Sequence, residues 1–527
     1  MKKAKASQLQ KPEATTSEFG KWRTLLWPVH QWELKKLLPM LVIFFLLSFN
    51  YNILRNTKEV NIINASAAAA EVLPFIKVWV MLPGAFFLTY LFNRISERLS
   101  REHTFYVMVS IFLAYFALFT FVLYPYREHF ELTQFSTWVQ HYLPSGMRGL
   151  VTAIRFWPFT WFYAMSELWG SAILLVAFWG FANEVTRIEE AKRFYALFGI
   201  GANLSGIASS SLYIYFSHHQ FNPSIPYGDD KWDQTQLMIL LTVFCTSFLA
   251  VAVFRWLNQV VLKDPRFIPT HEPVKRKEET KKKRGSFIKD LTYLAYSPYM
   301  LSIAIIVLSF GFVINSVEVL WKNQVHLLYP NKVDYAVYMN QVTLIIGFIS
   351  TFIALFVTGN AIRLSGWTIA ANITPVVLLV TSIGFFGSIF FPEMCALSSP
   401  LTLFAGITPL ALTVFFGTMQ NCLSRACKYT FFDATKELAF LPLDRMTRLK
   451  GKSAIDGIIS RLGKSGASVL YTFLLVFCGT LPACAPVIAL CLLISICFWL
   501  LAVRYVGINF QKLTNEKAPS QEDSLLS

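Results

Sequence analysis

The chain has 527 residues, of which 55% are hydrophobic, 16% aromatic and only 15% charged. Soluble domains carry roughly 25% charged residues, so an ordinary soluble enzyme is excluded. The formal charge of +16 would suit nucleic acid only if it formed one patch; it is instead distributed segment by segment, and no nucleic-acid partner is expected. The eight cysteines show no CxxC spacing and sit mostly in apolar runs, so they read as small packing residues rather than as a metal or disulfide framework.

In chain order, residues 1–36 are polar and basic, with no cleavable apolar leader and no transit-peptide composition, which points to a bacterial protein. Apolar runs long enough for a bilayer, about twenty residues each, then predict helices at 37–57, 73–95, 103–125, 152–183, 194–216 and 236–257. A basic linker follows at 258–297, and six further spans are expected at 298–321, 335–361, 367–391, 399–422, 455–479 and 484–505. Residues 506–527 form a polar tail. The fold class is therefore all-α and polytopic, with about twelve helices.

Lys and Arg fall in every second connection: Arg94/Arg98/Arg101, Arg187/Lys192/Arg193, the linker run from Lys275 to Arg284, and Arg445/Arg448/Lys450/Lys452. The connections between them, such as 217–235, are not basic. By the positive-inside rule both termini face the cytoplasm, and the protein belongs in the bacterial inner membrane. The central linker divides the spans six and six, as in the two repeats of major-facilitator proteins. Lys58 and Lys322, closing the first and seventh spans, are a weak internal echo of such a repeat.

Charges inside the spans are the main functional signal, because one at the bilayer centre costs on the order of 3 kcal/mol. Glu167 stands alone among apolar residues from Trp157 to Asn183, and Glu318 lies in the seventh span. Arg55 and Lys58 share one helix face three residues apart. Lys77 interrupts the second span and reads most simply as a snorkelling anchor. Asn50, Asn52 and Asn315 suit hydrogen bonding between helices. Gly-Lys-Ser occurs at 451–453 and at 463–465. Neither has the glycine five positions earlier, nor the strand before it, that a phosphate-cradling loop needs. Lys452, Arg461 and Lys464 nonetheless put positive charge near the start of a helix.

Several segments carry a resemblance: NYNILRNTKEV (50–60), SELWGSAILLVAFWGFANEVT (166–186), EEAKRFYALFGIGAN (189–203), INSVEVLWKNQV (314–325), FDATKELAFLPLD (432–444), KGKSAID (450–456) and LGKSG (462–466). From about residue 25 to 505 the sequence is similar to the bacterial and plastid-type ATP/ADP translocases of obligate intracellular bacteria. The resemblance implies a facilitator-like fold, exchange of ATP for ADP, and essential charged residues at Lys58, Glu167, Glu318 and Lys464. The sequence departs from the family at Asn56 and Glu59, where relatives show aspartates, at Ala65–Ala70 and Ser209–Ser211, and at Ala467. Family members that import several nucleoside triphosphates with protons leave a second coupling mode open.

The expected site is a cationic cavity between the halves. Lys58 and Lys464, helped by Arg55, Lys428 or Arg461, would hold phosphates, and Glu167 and Glu318 would balance the lysines when no nucleotide is bound. Lysine, a mobile point charge, suits a cargo that must leave again. The partners are nucleotides, phosphate or protons as coupled ions, and lipid. No cofactor is expected, and the unit is a monomer. A membrane-embedded enzyme would need a nucleophile–base pair or metal ligands that the spans do not offer, and a sugar or drug facilitator would suit a less cationic cavity.

Overall fold

A computed structural model describes residues 29–264 (without 67), 267, 297–393 (without 357), 408–443 and 445–515. The basic stretches 1–28 and 268–296, residues 394–407 and the residues from 516 on lie outside the described residues, and with them most of the expected linker and the start of the expected span 399–422. Within them the chain is helical, and ten helices are long and apolar enough to cross a membrane.

The long helices are α1 (Leu34–Ile63), α2 (Ala69–Arg98), α3 (Arg101–Leu123), α4 (Trp157–Val185), α5 (Ile188–His218), α6 (Lys231–Val261), α7 (Pro298–Leu328), α8 (Lys332–Phe356), α9 (Gly366–Phe390), α10 (Pro409–Cys427), α11 (Ser460–Cys478) and α12 (Leu481–Asn515). Helices α10 and α11 fall at the tenth and eleventh expected spans but are less apolar over a membrane-length window than the other ten. The expected fourth span starts later than the sequence suggests: Phe156 leaves helical geometry and Pro158 opens α4 at its first turn.

Two helices organise the halves. Residues on every side of α1 and α7 are buried, as expected for a helix surrounded by protein. Helix α1 packs against α4, α5 and α6, and α7 against α10, α11 and α12. The halves meet mainly along α5 against α8 and α2 against α11. Polar side chains tie α1 to its own half: Asn50 donates to Ser247 Oγ at 2.9 Å and Asn52 to Ser205 Oγ at 3.3 Å. Such bonds replace the hydrophobic drive that is missing between helices in lipid.

The membrane face where α1 begins is called here the terminal face, and the opposite one the far face. On the terminal face, pairs stay within a half: Lys36 bonds Glu190 at 2.7 Å and Arg193 bonds Glu33, while Lys436 bonds Asp456 at 2.7 Å and Lys452 bonds Glu437. On the far face the halves interlock. Arg148, in a short helix before α4, grips the buried Glu71 with two N–H groups. Glu71 also accepts from the Leu481 backbone N–H of α12, in the other half, at 3.3 Å. That grip holds the Arg148 guanidinium above its already high ordinary range. Gly146 lies so close to Leu475 that a methyl group there would overlap its carbonyl oxygen. Gly479, at φ 78°, ends α11 and turns the chain into α12.

Close backbone approach fixes α11 on α7. A Cβ at Gly463 would sit 2.7 Å from the Leu308 carbonyl oxygen, and one at Gly311 would sit 3.0 Å from the Gly463 carbonyl carbon. Helices in lipid use small residues for such contact. Gly463→Ala is expected to force α11 outward, costing about 1–3 kcal/mol; a lowered thermal midpoint of the purified protein checks this.

Candidate functional site

Arg55, Lys58 and Glu59 recur at i, i+3 and i+4 on α1, so one face of a buried helix carries all three. Lys58, 2% exposed, donates to Glu167 Oε2 and lies over the Tyr163 ring, 3.8 Å from its centre. Glu167 is 39% exposed. Its partner Lys58 is buried, so the carboxylate opens onto an interior space rather than onto lipid.

Glu318, on α7, collects three cations. Lys322, one turn along the same helix, donates to its Oε1 at 2.8 Å and to Glu59 Oε1 across the interface at 2.7 Å. Arg55 approaches Oε1 at 3.7 Å and Lys77 approaches Oε2 at 3.6 Å, both from the other half. Lys77 also donates to Asn315 Oδ1 at 3.4 Å. A neutral pair joins the halves beside them, Asn56 donating to Asn340 Oδ1 at 2.7 Å.

Among these pairs lies a narrow cleft whose walls include Arg55, Asn56, Glu59, Glu318, Lys322 and Arg425, with Trp321, Met339, Val342 and Ile346 on its apolar side. Among the described residues five cations, Arg55, Lys58, Lys77, Lys322 and Arg425, gather around three carboxylates, Glu59, Glu167 and Glu318. A low-dielectric wall strengthens that surplus for an entering anion.

Of the residues expected from sequence, Lys58 and Glu167 are bonded to each other, and Arg55 and Glu318 share the second cluster. Lys464 stands apart from both and makes no ion pair among the described residues. It is exposed, yet on α11 it falls between the buried Ala467, Tyr471 and Leu475. The apolar exposed stripe of Leu462, Val469, Phe473 and Phe477 lies on the opposite side of that helix. Lys464 therefore opens to the interior of the protein. Its backbone meets Gly311, seven residues before Glu318 and so about 10 Å nearer the terminal face. Arg461 is also exposed, one turn earlier. Lys428 sits past the end of α10 and bonds Asp433 at 2.9 Å, away from the glutamates of the two clusters.

Glu59, Lys322, Lys77 and Arg425 belong to the geometry but were not expected from sequence as site residues. The signals were present. Lys322 is one turn from Glu318, Glu59 is next to Lys58, and Arg425 precedes Lys428 by three residues. What the sequence lacked was the identity of the partner across the interface.

Similarity to known proteins covers nearly the whole chain. Residues 12–510 match the family described as TLC ATP/ADP transporter. ADP,ATP carrier protein 1 of Chlamydia pneumoniae is 43% identical over 509 residues, covering 96% of this chain and 98% of that one. The plastidic ATP/ADP-transporter of Solanum tuberosum is 36% identical over 489 residues, covering 93% of this chain and 75% of that one. Among solved structures, a D-xylose-proton symporter superposes over 90% of this chain and 97% of that one, with a TM-score of 0.47 and 12% identity.

Proposed function

Because this chain belongs to the TLC ATP/ADP transporter family, we propose that it carries ATP across the bacterial inner membrane in exchange for ADP, by alternating access around the cavity between its halves. Both termini then lie in the cytoplasm, and the terminal face is the cytoplasmic one. The boundaries read from sequence serve as the domains: an N-terminal half at 37–257, a linker at 258–297 and a C-terminal half at 298–505.

One observation carries this reading: inside the helix bundle, and among the described residues, five cations gather around three carboxylates. A buried surplus of charge is unfavourable until an anion neutralises it, so loading makes the site comfortable and emptying exposes the surplus again. That penalty on the empty carrier is what exchange requires. The carboxylates speak against proton coupling, because Glu59, Glu167 and Glu318 are each held by a lysine, and a proton carrier must be released to titrate. The far-face interlock at Glu71, Arg148 and Leu481 supports a state closed on the outer side. Lys58, Arg55 and Lys464 bind phosphate in this reading, with Glu167 and Glu318 as their counter-ions, Arg461 at the entrance, and Lys428 acting with Asp433 at the cytoplasmic end.

Uptake of labelled ATP into proteoliposomes tests the proposal. Uptake is expected only when ADP is trapped inside and is expected to survive a proton uncoupler. Uptake without internal nucleotide, abolished by the uncoupler, would overturn the exchange mechanism.

A further inference from the structure

We infer that Lys77 is a ligand for the terminal phosphates of the nucleotide, while Lys322 stays behind as the permanent counter-ion of Glu318 and Glu59. The inference rests on the transport reading above and divides the labour within its site.

The second span, read alone, offers Lys77 as an anchor whose ammonium would reach the lipid headgroups. The structure directs it inward instead. Its Nζ lies 3.4 Å from Asn315 Oδ1 and 3.6 Å from Glu318 Oε2, both on α7 of the opposite half. It sits in a π-helical stretch, Ile76–Met81. Such a wide turn costs backbone hydrogen-bond geometry and recurs where function demands it.

The cations around Glu318 fall into two kinds. Lys322 is 2% exposed and makes two contacts under 3 Å, one to each half. Lys322 borders the cleft, but a phosphate taking that ammonium would have to displace two carboxylates at once. Lys77 and Arg55 are 21% and 25% exposed and stand off from the carboxylate at 3.6 and 3.7 Å. Cations that are accessible and loosely held exchange a carboxylate for a phosphate at little cost, because Glu318 keeps Lys322 when they leave. Asn315, which Lys77 also touches, is one turn nearer the terminal face than Glu318, on the side where Lys464 opens inward. Lys77 thus reaches from the glutamate layer toward the side on which Lys464 opens inward, the direction in which a polyphosphate would extend. Release of Lys77 and Arg55 from Glu318 also removes two contacts between the halves, linking loading to reorientation.

The test compares ATP, ADP and AMP as competitors of labelled-ATP exchange in proteoliposomes, for wild type, Lys77→Gln, Lys77→Arg and Lys322→Gln. Loss of one charge-assisted contact to an end phosphate should weaken ATP by about tenfold or more and leave AMP nearly unchanged. Lys77→Arg should restore most of the ATP affinity. Lys322→Gln should weaken all three nucleotides by the same factor. Binding of ATP and AMP to the detergent-solubilised variants, read by thermal shift, gives the same ratios should exchange be too slow to follow. If Lys77→Gln weakens ATP and AMP equally, or changes neither, Lys77 is no phosphate ligand. Failure of the wild type to exchange ATP would sink the transport reading itself, a result distinguishable from either.

Discussion

Lys58→Gln is expected to lower ATP exchange by at least tenfold to a hundredfold, as loss of a contact worth about 1.5–3 kcal/mol implies, while the protein still inserts and folds. The reason is an asymmetry within the pair. Glu167 is 39% exposed and Lys58 only 2%. Removing the lysine leaves a carboxylate that cavity water can solvate, so stability changes little. Removing the acid strands a buried ammonium left, among the described residues, with the Tyr163 ring beside it. Glu167→Ala is therefore expected to destabilise by roughly 3–5 kcal/mol, the cost of breaking a buried pair from one side. Thermal midpoints measured alongside exchange rates separate the two variants. Equal midpoints would mean that the exposure difference has no energetic consequence.

Lys322→Met is expected to give a comparable loss of stability. Glu318 retains Arg55 and Lys77, but Glu59, 4% exposed, has Lys322 as its ion-pair partner in the structure. Stranding that carboxylate should cost about 3–5 kcal/mol. Adding Glu59→Gln removes the stranded charge, so the double variant should regain part of the lost midpoint. A double variant no more stable than Lys322→Met alone would show that the Lys322–Glu59 contact across the interface does not hold the halves. Coupling of this kind is what a double-mutant cycle isolates, because the two groups share one interaction.

The fold was largely legible in the chain. Ten of the spans announce themselves by length and apolarity alone, because nothing else satisfies a helix's surroundings in lipid. The two less apolar helices were also found in sequence: 455–479 matches the helical Ile455–Cys478, and the described part of 399–422 is helical from Pro409 on, continuing to Cys427. They carry Arg425 and Lys464, and a helix that lines a polar interior must dilute its own hydrophobic signal. The basic linker at 258–297, from which the sequence proposes two halves, lies mostly outside the described residues.

The site was legible one residue at a time. A charge in an apolar run identifies itself by its cost, which is how Glu167, Glu318, Lys58 and Arg55 stand out in the sequence. Pairing is a different matter. Lys77 reads as a snorkelling anchor until α7 is placed against α2, because the same side chain in the same span can reach for headgroups or for a carboxylate across the interface. Lys428 stands out in the sequence as a cation, but its Asp433 partner is visible only in the structure. Composition, periodicity and local spacing thus determined that this is a helical membrane protein with costly interior charge. Which charges meet depends on contacts between helices far apart in sequence, and Coulomb energy falls with distance in space, so tertiary structure alone decided the partners.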